Sequence, residues 1–395
     1  MLNTPFSPWP SFTEEEAEAV KRVLLSNKVN YWTGQECREF EKEFAAWCHT
    51  DYAVALANGT VALDLALKAL DIGPGDDVIV TPRTFLASAS SIVNIGARPI
   101  FADVDLDSQN ITAETVRQVL TPNTRAVICV HLAGWPCDMD PIMDLAKEKN
   151  FYVIEDCAQA HGAKYKGRPV GGIGHIGAWS FCQDKIMTTG GEGGMVTTND
   201  RTLWSKMWSY KDHGKSWEAI YHRSHPPGFR WVHDSFGTNW RMLEMQATIG
   251  RIQLKKLAAW NQIRLNYWHT LNNAVKQLSV FRSITIPANI QHGAYKFYAF
   301  QKQEAIRSPT YRDELISHIV DNGVPCYQGS CSEVYMEQAF AGHPSRPRSR
   351  LPNAKLLGET SLMFLIHPTL THQEISQTIS AINQAVIFIN SSKNA

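Results

Sequence analysis

The sequence predicts an α/β fold built on a mostly parallel sheet, and two observations carry that prediction. Between residues 51 and 200, short β-rich apolar runs alternate with helix-like stretches, the pattern of strand–helix units wound into a layered sheet. After about Met242 the alternation stops, and a long helical stretch leads into shorter mixed elements. In order, the apolar runs are 52–56, 77–81, 99–102, 126–131, 151–154, 178–182 and 195–198. The helix-like stretches between them are 60–70, 86–95, 112–120 and 141–149. Stretch 60–70 is apolar nearly all round (Val61, Ala62, Leu63, Leu65, Ala66, Leu67), so it is expected to be buried. Stretch 246–271 reads as a long helix with Ile249, Ile252, Leu254 and Leu257 on its apolar side. The expected division is a large domain with an N-terminal arm, 1–261, and a smaller C-terminal domain, 262–395.

Charge and composition exclude several classes. Lys plus Arg and Asp plus Glu are both 38, so no net basic surface calls for nucleic acid or a membrane face. No apolar run approaches the roughly 20 residues that span a bilayer. The first twenty residues are rich in Pro and Glu and lack the pattern of a signal peptide, so a cytoplasmic location is expected. The eight cysteines form no C-x-x-C pair and are expected to be reduced thiols, with Cys157 and Cys182 near the site but not nucleophiles.

Four local features stand near strand ends or helix starts, where open α/β sheets bind ligands. Asn58-Gly59-Thr60 opens the buried helix. Its glycine allows close backbone approach, and its free N–H groups attract phosphate; the plain alternative is a helix cap. Glu155-Asp156 ends an apolar strand. Side chains alternate there, so one carboxylate faces a site while the other turns away, and a structural salt bridge is the plain alternative. Lys185 follows Ser180-Phe181-Cys182-Gln183-Asp184 and precedes the Gly-rich Gly190-Gly191-Glu192-Gly193-Gly194. A lysine on a rigid element and partly desolvated has the makings of an amine nucleophile. The fourth, Gly237-Thr238-Asn239-Trp240-Arg241-Met242, alone reads as a turn into a helix.

Together these segments resemble the DegT/DnrJ/EryC1/StrS family of sugar aminotransferases over about residues 30–270, and more weakly beyond. Gly73-Pro74-Gly75-Asp76, Val130-His131-Leu132-Ala133-Gly134 and Glu155-Asp156-Cys157-Ala158-Gln159 belong to the likeness, and the block from Ser180 through Lys185 to Gly194 is its most specific part. The resemblance implies a fold type I, PLP-dependent aminotransferase-like large domain with a mostly parallel mixed sheet, plus a smaller α+β domain. It implies pyridoxal 5'-phosphate (PLP) as cofactor, with Lys185 as the catalytic lysine that carries it. Asp156 would pair with the ring nitrogen, Phe85 would stack on the ring, and Gln159 would lie near its phenolic oxygen. Gly59, Thr60 and Ser180 would hold the phosphate, with Asn239 reaching it from a neighbouring subunit of a homodimer. The implied reaction moves an amino group from glutamate, leaving 2-oxoglutarate, to a nucleotide-linked keto sugar for surface polysaccharide, O-antigen or other glycoconjugate synthesis.

Competing readings remain. Gly172-Ile173-Gly174-His175-Ile176-Gly177 matches a dinucleotide fingerprint, but no strand-to-helix turn surrounds it. Some family relatives carry His in place of the lysine and remove a sugar hydroxyl; Lys185 favours transamination. A non-catalytic regulatory protein on the same fold is a third reading. His222, His225 and His233 cluster with Arg223 and Arg230 around Pro226-Pro227-Gly228, and no metal is expected there. That loop, with Arg230 and also His213, is expected to face the sugar nucleotide. Residues 327–333 depart from the family's wording.

Overall fold

In the computed structural model, which describes residues 5–306 and 308–392, seven strands form the main sheet. They are β1 Tyr52–Leu56, β2 Asp77–Val80, β3 Arg98–Phe101, β4 Thr124–Val130, β5 Tyr152–Asp156, β6 Ile176–Ser180 and β7 Gly194–Thr198. Their order is β1-β7-β6-β5-β4-β2-β3. β7 runs antiparallel to both neighbours and every other pair is parallel, so six strands end on one edge of the sheet. β2, β6 and β7 are buried along their whole length, which is why they read as continuous apolar runs rather than as alternating ones.

The expected buried helix is Gly59–Ala69, with Ala62, Leu63, Leu65, Ala66 and Leu67 out of solvent. The Asn58 side chain caps it by accepting from the Val61 amide at 3.0 Å. The stretch expected as a helix over 112–120 is helical only at Ala113–Arg117. The long helix is Glu244–Val275, and of its expected apolar side Leu257 is fully buried. Ala247, Gly250, Leu257, Arg264 and Leu271 face the core, while Ile249, Ile252 and Leu254 are half-buried. Near its start the helix packs too closely for a side chain at Gly250. A Cβ at Gly250 would lie 2.6 Å from the Phe40 ring.

A second, antiparallel sheet holds β8 Lys296–Phe300, β9 Cys326–Tyr327 and β10 Ser361–Leu365 in the order β8-β10-β9. One apolar cluster joins Val127 and Val153 of the main sheet to Trp268, Phe297 and Phe364. The helix Glu244–Val275 runs from one region to the other, and the division drawn at 261/262 lies within it. Among the described residues no helix is long and apolar enough to cross a membrane.

Candidate active site

The C-terminal end of β5 separates two adjacent carboxylates. Glu155 accepts from the amides of Gly171, Ile173 and Gly174 at 2.9, 2.8 and 2.6 Å and from His131 Nε2 at 3.0 Å. Burial alone would push its carboxyl up, but the histidine and the backbone bonds outweigh it and hold it below the usual glutamate value. Among the described residues Asp156 accepts only from Ser88 Oγ at 2.7 Å and the Ala158 amide at 3.1 Å. Burial there prevails over these bonds and over the nearby Lys185 charge, and raises the carboxyl above the usual aspartate range. Ser88 in turn meets Thr84 Oγ1 at 2.8 Å, which links Asp156 to the wall of a large cavity.

That cavity, of about 1060 Å³, is the site's centre. Lys185, Phe85 and Gln159 line it. The Lys185 side chain is only 17% exposed, with Nζ 3.5 Å from Asp184 Oδ1 and 5.2 Å from the centre of the Tyr295 ring. Phe85 is 71% exposed, an apolar ring left facing open space. Gln159 Oε1 accepts from the Ala133 amide at 2.8 Å, which directs the bonding capacity of its NH2 elsewhere.

Gly59 and Ser180 meet at the start of the buried helix. A Cβ at Gly59 would lie 2.5 Å from Ser180 Cβ, so only glycine allows this approach. Asn58 occupies the Val61 amide, and among the described residues no acceptor meets the amides of Gly59 and Thr60. Two free N–H groups at a helix start beside a serine hydroxyl form an anion cradle.

Asn239, His213 and Arg230 are exposed and lie outside this chain's cavity. The Asn239 segment runs beside β1, with the Trp240 carbonyl accepting from Ala57 at 2.9 Å. In the histidine-bearing loop, Arg223 pairs with Asp234 at 2.6 Å. Several lining residues escaped sequence reading: Trp9, Arg264, Tyr295, Lys296, Tyr298 and His367. They come from four distant segments. The one signal for them was a lysine between aromatic residues in Tyr295-Lys296-Phe297-Tyr298.

The glycine-rich stretch 172–177 is explained without a nucleotide, since the anion its amides hold is the protein's own Glu155. His131, Glu155 and Cys157 lie close enough to suggest a metal site. However, His131 Nδ1 accepts from the Cys137 amide, so Nε2 carries the proton it donates to Glu155 and has no lone pair to offer. All eight thiols are free, and burial raises Cys157 and Cys182 above ordinary thiol values, which suits neither to nucleophilic attack.

The profile of the DegT/DnrJ/EryC1/StrS aminotransferase family matches residues 10–383. The GDP-perosamine synthase of Escherichia coli O157:H7 is 35% identical over 388 residues, covering 95% of this chain and 96% of that protein. The dTDP-3-amino-3,4,6-trideoxy-alpha-D-glucose transaminase of Streptomyces venezuelae is 34% identical over 370 residues, covering 94% and 92%. Among solved structures, an aminotransferase from Psychrobacter cryohalolentis is 61% identical and superposes with a TM-score of 0.95, over 98% of this chain and 99% of that one.

Proposed function

The chain belongs to the DegT/DnrJ/EryC1/StrS aminotransferase family, whose enzymes use PLP, and on that premise we propose that it transfers an amino group from glutamate to a nucleotide-linked keto sugar. The product would serve the synthesis of a surface polysaccharide or other glycoconjugate. The observation that carries this reading is the meeting of Lys185, Phe85 and Gln159 in one cavity, backed by Asp156.

The residues present fit the cofactor. Phe85 is an exposed ring that a stacked planar ring would cover. Asp156 is a buried carboxylate with unused acceptor capacity, and Gly59, Thr60 and Ser180 form an anion cradle. Bound there, PLP supplies a carbon that takes the amino group and a ring that accepts the electron pair released when a proton leaves. Lys185 holds the cofactor through Nζ. When freed, Nζ takes the proton from the donor's α-carbon and later returns one to the sugar carbon being aminated. Asp156 keeps a proton on the ring nitrogen, while Ser88 orients Asp156. Gln159, whose oxygen is fixed by the Ala133 amide, would offer its NH2 to the phenolic oxygen.

Borohydride reduction of the yellow holoprotein followed by peptide mapping tests the assignment: the label is expected on Lys185, and a label on another lysine would refute it. A mass-spectrometric screen of dTDP-, UDP- and GDP-linked keto sugars with L-glutamate should yield an amino sugar. Loss of a hydroxyl without gain of nitrogen would instead indicate the dehydratase reading.

The proposal includes a homodimer with shared sites. Phe236, Trp231 and Phe229 are 99%, 79% and 74% exposed on the segment that also holds His213, Arg230 and Asn239, and such a patch suits burial against a second copy. Lys185→Ala and Asn239→Ala, each expected to be defective alone, are then expected to complement when co-expressed. Random pairing makes half the dimers mixed, each with one intact site, so about a quarter of wild-type activity should return. No recovery in verified heterodimers would place Asn239 in its own chain's site.

A further inference from the structure

The cavity holds a second, unassigned cluster of charge where β8 and the helix Glu244–Val275 meet the N-terminal arm. Lys296 Nζ lies 4.6 Å from the Tyr295 ring centre, and no carboxylate or carbonyl of the described chain accepts from it. Arg264 is 1% exposed. One of its nitrogens donates to the Ile366 carbonyl, while Nε and the other terminal nitrogen have no hydrogen-bond partner among the described residues. Its guanidinium rests on the Trp9 ring at 4.9 Å. The carboxylate whose charge acts on both, Asp184, is already engaged by the Tyr295 hydroxyl and by Lys185. Two cations with unmet donors therefore share one corner of a cavity, an arrangement that demands an anion.

We infer that Lys296, with Arg264 behind it, is the subsite that holds a carboxylate of the amino-acid donor. This rests on the aminotransferase reading and adds the donor's place within it. Two features favour a carboxylate over the diphosphate of a nucleotide sugar. The first is closure: Trp9 stacks near His367 and meets Trp260 edge-on, walling the corner behind Arg264. A diphosphate links sugar to nucleoside and needs room on both sides, whereas a carboxylate ends its molecule. The second is reach. Lys185 and Lys296 both lie against the Tyr295 ring, which keeps their nitrogens within about 10 Å of each other. A glutamate reacting at Lys185 carries its side-chain carboxylate roughly 5 Å beyond its α-carbon, enough to span much of that gap. Burial, with the Arg264 and Lys185 charges, pushes the Lys296 ammonium down to about 8 against the pull of Asp184, so a bound carboxylate would also help keep it charged.

The test uses holoprotein carrying Lys296→Met, which removes the charge at similar length, and Lys296→Arg, which restores it. Glutarate, a dicarboxylate that cannot react, and inorganic pyrophosphate are titrated by calorimetry. L-glutamate is followed through the cofactor's absorbance in a single half-reaction. Lys296→Met is expected to weaken glutarate binding and raise the half-saturating glutamate concentration at least tenfold, with pyrophosphate changed less than twofold, and Lys296→Arg to recover most of the loss. Unchanged glutarate binding in a Lys296→Met protein that still binds cofactor would overturn the subsite, as would a loss confined to pyrophosphate. A wild type whose absorbance responds to no L-amino acid would instead defeat the aminotransferase reading, while glutarate binding would still decide whether this corner takes carboxylates.

Discussion

The two sides of the β5 strand end differ in how completely their carboxylates are satisfied. On one side Glu155 has four donors, and the glycine-rich loop and His131 close around it. On the other Asp156 has two donors and lies within the field of Lys185 beside an open cavity. The residues are adjacent in sequence and both are buried, but one is held below its ordinary pKa and the other above it. A filled acceptor set marks a structural carboxylate. An unfilled one in a raised state marks a group with room for a partner, which on the proposed function is the proton on a ring nitrogen.

The largest effect expected from this contrast is on catalysis. Asp156→Asn should slow the half-reaction with L-glutamate at least ~10²-fold while the cofactor stays bound, because the phosphate cradle at Gly59, Thr60 and Ser180 is untouched. Near-normal rates would mean another group protonates the ring. Glu155→Gln should act through stability instead. Gln has one acceptor oxygen for four donors, and its NH2 would face an N–H, so the fold should lose about 3 kcal/mol, read as a lower denaturant midpoint. The folded fraction should retain most of its activity. Because the folded pKa of Glu155 lies below its unfolded one, this stabilisation is present above the ordinary glutamate value and fades as pH falls through the depressed value. Wild type should therefore lose its advantage over Glu155→Gln in acid.

How much of this was legible depended on whether a feature is local to the chain. The cap at Asn58, the close approach at Gly59 and the lysine before the Gly190–Gly194 loop are contained in short motifs, and the parallel strands in short apolar runs. Alternation says only that Glu155 and Asp156 oppose, so Asp156 is singled out by the family resemblance and not by the strand pattern. Arg264 and Lys296 could not be placed, since their corner exists only once Trp9, β8 and the long helix are brought together. The same limit explains why Leu257 alone of the four apolar residues expected on one side of that helix is fully buried. Counting large apolar residues selects Ile249 and Ile252, but close packing against Phe40 selects Gly250.

The smallest effect is the one most specific to Asp156. Its raised pKa means that the folded protein binds the Asp156 proton more tightly than the unfolded chain does. At neutral pH, above the unfolded value, this difference in proton affinity therefore destabilises the cofactor-free fold. Asn removes that charge and has a bonding route available, since its NH2 can donate to Ser88 Oγ while Ser88 donates to Thr84. PLP-free Asp156→Asn protein is thus expected to be somewhat more stable than PLP-free wild type at pH 7. The gain should shrink as pH falls through the raised folded value and vanish near the unfolded value of about 3.9. With PLP bound the order should reverse, because only wild type gains the pairing with the ring nitrogen. Paired thermal melts, with and without cofactor at pH 7 and pH 5, read all of these comparisons. A PLP-free Asp156→Asn protein less stable than wild type at pH 7 would mean that Asp156, like Glu155, serves the fold and not the cofactor.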